Sequence, residues 1–306
     1  MTVLGQAPAP TVDPSQPKTL RWGDIGLMLI LDFISEEEEA SMIEAFHAED
    51  TSGQDSKLEA KTTKPRRVSR HFGYHFDYTT FGASETNFTP VPSYISNLLP
   101  RLPIQSYLPD QFTVQYYPPG SGIPPHVDTH SMFGEALYSL SFGSAVPMQF
   151  RMSGPNDARK MRLPKRSLQQ ADGGATPSRN EPTEHHQEEE HRQKQQQQQK
   201  VEEEGERARD DARLGEEEQP PPAWEILLPA RSLLLMTGPS RYGYTHAIRP
   251  RKTDVIDGRT VPRSDRYSIT MRTVRRGSEV GCDCAYPGVC DARIREEMAR
   301  RGETQK

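Results

Sequence analysis

Short stretches of apolar residues, or of alternating apolar and polar residues, recur along this chain between segments that contain glycine and proline. Residues 112–117 alternate in polarity, which is typical of a β-strand with one buried face. Apolar runs predict further strands at residues 136–142, 147–152, 224–229, 232–237, 244–249 and 266–275. Because many short strands with turn residues between them favour two sheets packed face to face, the pattern predicts a double-stranded β-helix, or jelly roll.

A small α/β part is predicted before these strands. Residues 26–33, with the sequence GLMLILDF, form an apolar run that predicts a buried strand. Ser35 and Glu38 make a Ser-x-x-Glu capping box, which predicts a helix that begins there and ends near His47. A shorter helix is predicted around residues 92–99. The expected fold class is therefore mostly β with a small N-terminal α/β part.

Three segments lack the large apolar residues that a packed core requires. Residues 1–20 are rich in Ala, Pro, Thr and Ser and are expected to be a disordered leader. Residues 154–222 include HRQKQQQQQK and are expected to be a disordered, low-complexity insertion in a hairpin loop. Residues 292–306 are expected to be a charged tail. The division leaves residues 21–153 and 223–291 as one domain.

The sequence also bears on the cellular compartment in which we expect the protein. No stretch reaches the roughly 20 apolar residues of a membrane span, and the N-terminus lacks a basic-then-apolar signal peptide. We therefore expect a monomer in the cytoplasm, the nucleus or both, with no membrane partner. The net charge of −5 hides an excess of basic residues in 241–306, which favours contact with polyanions.

A 2-His-1-carboxylate iron site is predicted from three residues. His126 and Asp128 follow the proline pair 124–125, and if His126 opens a strand, the two side chains point to one face. His246, the other histidine in the predicted β-core, would supply the third ligand. His130 would lie roughly 13 Å from His126 on a continued strand, which is too far to bind the same ion.

A second metal site is predicted near the C-terminus. Cys282, Cys284 and Cys290 offer three thiolates, one fewer than a tetrahedral Zn²⁺ site needs. His130 could be the fourth ligand and would tie the C-terminal segment to the loop after the iron ligands. In a reducing compartment the cluster favours a metal over a disulfide, although three reduced structural thiols are the alternative.

Two arginines could hold a cosubstrate beside the iron. An iron triad leaves coordination positions that suit a 2-oxo acid and dioxygen. Arg266 and Arg272 lie six residues apart, on one face of a strand with Ser268 between them, and could bracket a dicarboxylate. The alternative is two exposed arginines on a polar edge.

Residues 61–78, with the sequence KTTKPRRVSRHFGYHFDY, interleave basic and aromatic residues. A hairpin of this kind could present cations to phosphates and rings to bases, and it makes candidate nucleic-acid contacts of Arg66, Arg67, Arg70 and Tyr74. The alternative is an ordinary amphipathic strand with a polar face.

These residues together resemble the AlkB family of Fe(II)- and 2-oxoglutarate-dependent dioxygenases. The matching stretches are YYPPGSGIPPHVDTHS, YSLSFGS, LLPARSLLLMTGPSRYGYTH and CDCAYPGVCD. The last is specific to the branch that hydroxylates a modified wobble uridine in tRNA, the oxygenase domain of the eighth AlkB homologue. The resemblance implies that Tyr117 and Arg266 hold the distal carboxylate of 2-oxoglutarate and that Arg272 lies near the metal. Gln115 stands where the family has Asn.

The resemblance implies a reaction and several partners. The expected cofactors are Fe(II), 2-oxoglutarate and Zn(II), and the expected partner is tRNA or another nucleic acid. In animals this branch carries an RNA-recognition module before the oxygenase and a methyltransferase after it. Since about 20 residues precede the domain here and about 15 follow it, we expect a separate tRNA methyltransferase. Oxidative demethylation of alkylated DNA or RNA bases and oxidation of a protein or a small molecule are alternatives, as is a catalytically inactive binding module.

Overall fold

The computed structural model describes residues 7–52, 67–77, 82–154, 157 and 223–300. The β-strands of this part are β1 Thr11–Val12, β2 Thr19–Trp22, β3 Leu27–Ile30, β4 Val68–Asp77, β5 Gly82–Thr89, β6 Gln111–Tyr117, β7 Ile123–His126, β8 Phe133–Gly143, β9 Val146–Met152, β10 Ala223–Leu228, β11 Ser232–Met236, β12 Tyr244–Ile248, β13 Thr253–Ile256, β14 Arg259–Pro262 and β15 Arg266–Val274. Its α-helices are α1 Glu36–Ser52, α2 Ser93–Ser96, α3 Gly238–Tyr242 and α4 Asp291–Arg300. None of these helices is both long enough and apolar enough to cross a membrane.

Two antiparallel sheets form the body of the domain. The larger sheet has the order β1-β2-β3-β11-β8-β15-β6-β4-β5, and the smaller has the order β10-β9-β12-β7. From β6 onward the chain passes back and forth between them, so that β6, β8, β11 and β15 lie in the larger sheet and β7, β9, β10 and β12 in the smaller. This interleaving confirms the predicted jelly roll. The remaining strands, β13 and β14, form a separate hairpin.

The larger sheet is covered on both faces. One face packs on α1 and α2, where the core includes Phe46, Ile95 and Leu233. The other face packs on the smaller sheet, where Leu234 meets Phe150 and neighbouring apolar residues. Because successive side chains of a strand point to opposite faces, a strand between two cores is apolar at every position. Strand β11 is buried along its whole length for this reason.

Most of the elements expected from the sequence are present. The predicted strands are found with ends shifted by one to three residues. The capping box is confirmed, because Glu38 N–H donates to Ser35 Oγ (3.1 Å) and Ser35 N–H donates to Glu38 Oε2 (2.8 Å). Helix α1 continues beyond the expected end near His47, as far as Ser52. The expected helix around residues 92–99 consists of α2 and a 3₁₀ turn, Leu99–Arg101.

The prediction of a disordered leader is wrong for residues 7–20. Strand β1 pairs with β2, and β2 pairs with β3, so this segment extends the larger sheet. The indole N–H of Trp22 donates to the carbonyl of Pro8 (2.8 Å). A strand added to a sheet edge is held by backbone hydrogen bonds, and a composition poor in apolar residues does not exclude it. Residues 1–6 and nearly all of the expected insertion, 154–222, lie outside the described residues, so their disorder remains a prediction.

Candidate active site

The three predicted iron ligands lie together between neighbouring elements of the smaller sheet. His246 on β12 pairs directly with His126 at the end of β7, and the centroids of their rings are 4.2 Å apart. Asp128 follows in the next loop, with Oδ2 at 3.6 Å from His246 Nε2. One ligand atom from each residue lies within 4.8 Å of the others, which is compatible with a single ion.

The route by which Asp128 reaches this position differs from the expectation. His126 does not open a strand; it ends β7, which contains both Pro124 and Pro125. Proline lacks the N–H that a central strand must donate, and β7 can contain two prolines because it is the edge strand of the smaller sheet. The turn of the chain after β7, and not the alternation of a strand, brings Asp128 beside His126.

The carboxylate of Asp128 is buried and paired on one oxygen. Oδ1 accepts from Arg272, at 2.8 Å from Nε and 2.7 Å from Nη2. Oδ2 is buried and has no hydrogen-bond donor among the described residues. Burial alone would raise the pKa of this carboxyl, but the charge of Arg272 and the two nearby imidazoles hold its pKa well below the usual range. The group is therefore an anion with one free oxygen, as a metal ligand must be.

The two imidazoles are arranged as metal ligands also require. Burial, together with the neighbouring His126, lowers the pKa of His246 to about 3, so that this ring is neutral near pH 7. His126 Nδ1 lies 3.0 Å from the carbonyl oxygen of Pro124. Because a carbonyl can only accept, Nδ1 carries the hydrogen and Nε2 is left with a lone pair for an ion.

Arg241 on α3 is a component of the site that the sequence analysis missed. This buried guanidinium donates to the carbonyl oxygens of Asp128 (3.0 Å) and Thr129 (2.9 Å), and thus holds the loop that carries the carboxylate. The nitrogens and the oxygens belong to residues more than 110 positions apart in the chain, so no spacing in the sequence indicates the contact.

A cavity of about 280 Å³ opens beside the triad and is lined in part by polar side chains of β4, β6 and β15. Together with Gln111 and Tyr117, which do not line the cavity themselves, these side chains form a ladder. Paired residues of β6 and β15 form successive rungs: Gln111 with Arg272, Thr113 with Thr270, Gln115 with Ser268, and Tyr117 with Arg266. The corresponding positions of β4 add His71 beside Thr113 and Ser69 beside Gln115. Adjacent rungs are about 7 Å apart, since they are two residues apart on each strand. The ladder leads from the triad, at Arg272, towards Arg266.

The Arg266 end of the ladder contains the other residues expected to bind 2-oxoglutarate. The buried guanidinium of Arg266 lies 5.1 Å from the centroid of the Tyr117 ring, and its Nε donates to Ser141 Oγ (3.1 Å). Its Nη1 is buried without a hydrogen-bond acceptor among the described residues. The hydroxyl of Tyr117 donates to Oε1 of Gln115. Burial lowers the pKa of Arg266 to about 10, which leaves it cationic near pH 7.

Arg266 and Arg272 share a face of β15 as expected, but they do not form a simple bracket. Arg272 is already bound to Asp128 and also donates from Nη1 to Gln111 Oε1 (3.0 Å). Arg272 therefore belongs to the metal end of the cavity, and Arg266 is the cation of the far end.

The residues expected to contact nucleic acid do not form one surface. Arg66 lies outside the described residues. Arg67 is exposed and lines the cavity, whereas Arg70 lies on the opposite face of β4, over the ring of Phe46 and hydrogen-bonded to that residue's carbonyl. Arg70 does not line the cavity, because alternate residues of a strand point to opposite faces, and its contact with nucleic acid stays a prediction. Tyr74 packs edge to face against Phe88.

A second cluster of ligand atoms lies just after the loop of Asp128. One atom each from His130, Cys282, Cys284 and Cys290 lies within 4.8 Å of the others, and His130 Nδ1 is 3.4 Å from Cys284 Sγ. Burial and the two neighbouring thiols raise the pKa of Cys290 to about 12. Asp291 Oδ1 accepts from the backbone N–H groups of both His130 (2.9 Å) and the next residue (3.0 Å). The C-terminal segment is thereby joined to the loop of Asp128.

Several known proteins are similar to this chain. The family model described as the 2OG-Fe(II) oxygenase superfamily matches residues 26–272. The chain is 31% identical to the tRNA (carboxymethyluridine(34)-5-O)-methyltransferase alkbh8 of Xenopus tropicalis, over 87% of this chain and 34% of that protein. It is 28% identical to the alkylated DNA repair protein ALKBH8 homolog of Arabidopsis thaliana, over 87% of this chain and 62% of that protein. The solved structure of OsALKBH1 superposes with a TM-score of 0.45 at 13% identity, over 83% of this chain and 99% of that one. The chain thus spans about a third of the length of the animal relative.

Proposed function

This chain belongs to the 2OG-Fe(II) oxygenase superfamily as a relative of the AlkB homologues, and we propose that it hydroxylates a modified nucleobase, the side chain of a wobble uridine in tRNA. The enzyme class follows from the family: the protein is a 2-oxoglutarate-dependent dioxygenase. The observation that supports the substrate is the similarity over 87% of the chain to a protein named for carboxymethyluridine at position 34 of tRNA.

The residues of the triad fit Fe(II). His126 would bind through Nε2, Asp128 through the free Oδ2 of its anionic carboxylate, and His246 through a ring nitrogen of its neutral imidazole. Bound together there, Fe(II) and 2-oxoglutarate supply the oxidising chemistry: one atom of dioxygen enters a substrate C–H bond and the other enters succinate, with release of carbon dioxide.

The protein's own groups orient this chemistry. Arg272 keeps Asp128 ionised and directs Oδ2 towards the two imidazoles, and Arg241 fixes the backbone of the same loop. The uncompensated guanidinium of Arg266, with the hydroxyl of Tyr117, would bind the distal carboxylate of 2-oxoglutarate. Gln115 and Ser268 form the rung between the two ends, where the chain of the cosubstrate would lie. Gln115 is one methylene longer than the Asn of the family, and its Oε1 accepts a hydrogen bond from the Tyr117 hydroxyl.

The thiol and imidazole cluster fits Zn²⁺. Three sulfur atoms and one nitrogen are the donor set of a structural zinc site, and a thiol with its pKa raised by burial and by other thiols is stabilised as thiolate when a divalent cation binds. A zinc ion bound by His130, Cys282, Cys284 and Cys290 would fasten the C-terminal segment to the loop of Asp128. Arg275, Arg293 and Arg295 would then lie in a segment held near the catalytic loop, where they could contact a polyanion.

The test is a product analysis with defined substrates. The purified protein, supplied with Fe(II) and 2-oxoglutarate, is incubated with a tRNA that carries a carboxymethyl-type uridine at position 34 and, separately, with an N-methylated oligonucleotide. Mass spectrometry should show the gain of one oxygen on the tRNA nucleoside, with one succinate formed per hydroxylation. Loss of a methyl group from the oligonucleotide without oxidation of the tRNA would instead identify a demethylase. Succinate formation that neither nucleic acid stimulates would point to a substrate of another class, such as a protein.

In cells, the same proposal predicts that tRNA from a strain without this protein lacks the hydroxylated nucleoside and accumulates its precursor. We further propose that a separate tRNA methyltransferase acts on the same nucleoside. Restoring the wild-type chain should restore the nucleoside, and restoring a variant with Asp128→Ala should not.

A further inference from the structure

Two arginines, one on β15 and one just before β4, lie beside the ring of Tyr117. Strand β6 pairs with β15 so that Tyr117 faces Arg266, and it pairs with β4 so that Tyr116 faces Val68. Arg67, the residue before Val68, therefore continues the rung on the other side of Tyr117. Its guanidinium carbon lies 4.9 Å from the ring centroid, and that of Arg266 lies 5.1 Å from it. The last rung of the ladder thus has a cation on each side of one phenol, and both cations line the cavity.

These two charges have no anionic partner among the described residues. Arg266 donates through Nε to the hydroxyl of Ser141 and also hydrogen-bonds to Tyr117, but its buried Nη1 has no acceptor among the described residues. Burial lowers the pKa of Arg266, and the charge of Arg67 lowers it further, which is the sign of repulsion between the two groups. Arg263, another neighbouring cation, is already bound to both oxygens of Asp254. The far end of the cavity is therefore built for an anion.

We propose that Arg67 is a second cationic ligand for the distal carboxylate of 2-oxoglutarate, acting across the ring of Tyr117 from Arg266. The inference rests on the proposed binding of 2-oxoglutarate in this cavity. It replaces the assignment of Arg67 to nucleic acid that the sequence pattern suggested. A carboxylate placed at this rung removes the repulsion between the guanidiniums and satisfies the buried Nη1 of Arg266, whereas a nucleic-acid phosphate outside the cavity would do neither.

The contact also gives strand β4 a role in cosubstrate binding. β4 and β5 form a hairpin in which β5 is the edge strand of the larger sheet, and Arg67 immediately precedes β4. A carboxylate held by Arg67 ties the start of this hairpin to the inner rungs on β6 and β15. Since Arg67 is exposed while Arg266 is buried, we expect its contribution to the affinity to be the smaller one, about three- to tenfold.

The experiment compares two ligands that differ only in the distal group. Binding of 2-oxoglutarate and of 2-oxopentanoate, which has a methyl group in place of the distal carboxylate, is measured by calorimetry on the full chain loaded with Mn(II). The variants are Arg67→Gln, Arg67→Lys and, as a control that removes one exposed charge elsewhere, Arg259→Gln on β14. Thermal unfolding without ligand checks that each variant is folded.

Arg67→Gln should weaken 2-oxoglutarate three- to tenfold and leave the affinity for 2-oxopentanoate unchanged. Arg67→Lys should recover part of the loss, and Arg259→Gln should bind both ligands as the wild type does. An equal loss for both ligands, or an unchanged affinity for 2-oxoglutarate with weaker tRNA binding, would overturn the inference, the latter assigning Arg67 to a phosphate. If the wild-type chain itself does not bind 2-oxoglutarate, it is the proposed function that fails.

Discussion

Arg272 donates hydrogen bonds to one carboxylate oxygen of Asp128 and leaves the other oxygen free, although the two residues are 144 positions apart in the chain. Nε and Nη2 of the guanidinium both reach Oδ1, at 2.8 Å and 2.7 Å, while Oδ2 lies 3.6 Å from His246 Nε2. The pairing supplies the positive charge that a buried carboxylate needs and sets which oxygen faces the imidazoles. Arg272 thus both lines the cavity and sets the orientation of the Asp128 carboxylate in the metal site.

The first prediction concerns the carboxylate itself. Asp128→Ala removes one of three protein ligands, so iron should be held weakly and coupled turnover of 2-oxoglutarate should be abolished. Iron content after gel filtration and succinate formation are the measurements, and Asp257→Ala, on the turn between β13 and β14, is the control. Activity of Asp128→Ala at the wild-type level in the presence of excess chelator would refute the assignment.

The second prediction concerns Arg241. Replacing it by Leu leaves the buried carbonyls of Asp128 and Thr129 without donors, and the free energy of unfolding should fall by about 2–4 kcal/mol. Because the same loop carries Asp128, iron affinity should also fall. Denaturant unfolding and metal titration measure the two effects, with Arg259→Leu as the surface control. A loss of stability with iron affinity unchanged would show that Arg241 does not position the ligand.

The third prediction concerns zinc. Cys284→Ser should release one equivalent of zinc and make the last 25 or so residues sensitive to protease, since the segment has few apolar residues of its own. RNA binding should weaken more than 2-oxoglutarate binding, because the basic C-terminal segment loses its fixed position. Ser153→Ala, a substitution away from the cluster, is the control and should keep its zinc. Protein purified without chelator that contains iron but no zinc, with three freely titratable thiols, would contradict the site.

The fourth prediction concerns the long insertion. Ala223 on β10 pairs with Arg151 on β9, so the two ends of the insertion leave adjacent strands of one hairpin. A short Gly-Ser linker in place of residues 160–218 should therefore close the loop without strain and leave folding and iron binding intact. Circular dichroism and iron stoichiometry are the measurements. Loss of soluble, iron-loaded protein would mean that the insertion packs on the domain.

The fifth prediction concerns acid stability. Burial would raise the pKa of Asp254, but hydrogen bonds and charge from Arg263 and Arg251 lower it below its unfolded value. A depressed carboxyl pKa stabilises the fold above the unfolded pKa of about 3.9 and stops doing so as the pH falls through the folded value. Asp254→Asn should therefore lower the unfolding temperature at pH 7 and have a smaller effect near pH 3. An effect of equal size at both values would show that charge is not the cause.

Several features of this protein are determined by short stretches of its sequence. Alternating and apolar runs predicted the strands of the jelly roll, because the two-residue period of a strand is a local property. The capping box of Ser35 and Glu38 was readable for the same reason, since both partners lie within one helical turn. The resemblance to the AlkB family was carried by motifs of the same short range, and the family comparison confirmed it.

Other features were decided only by the tertiary structure. Which face of β4 lines the cavity depends on its pairing with β6. Alternation puts Arg67 and Arg70 on opposite faces, but the sequence could not tell that Arg67 lies beside Tyr117 and Arg70 over Phe46. Within residues 7–20, β1 pairs with β2 and the first residues of β2 pair with β3, and such backbone pairing leaves no trace in composition. The contacts of Arg272 with Asp128, and of Arg241 with the same loop, join positions more than 110 residues apart. Register and long-range contact are set when strands from distant parts of the chain meet, and no local pattern of residues records them.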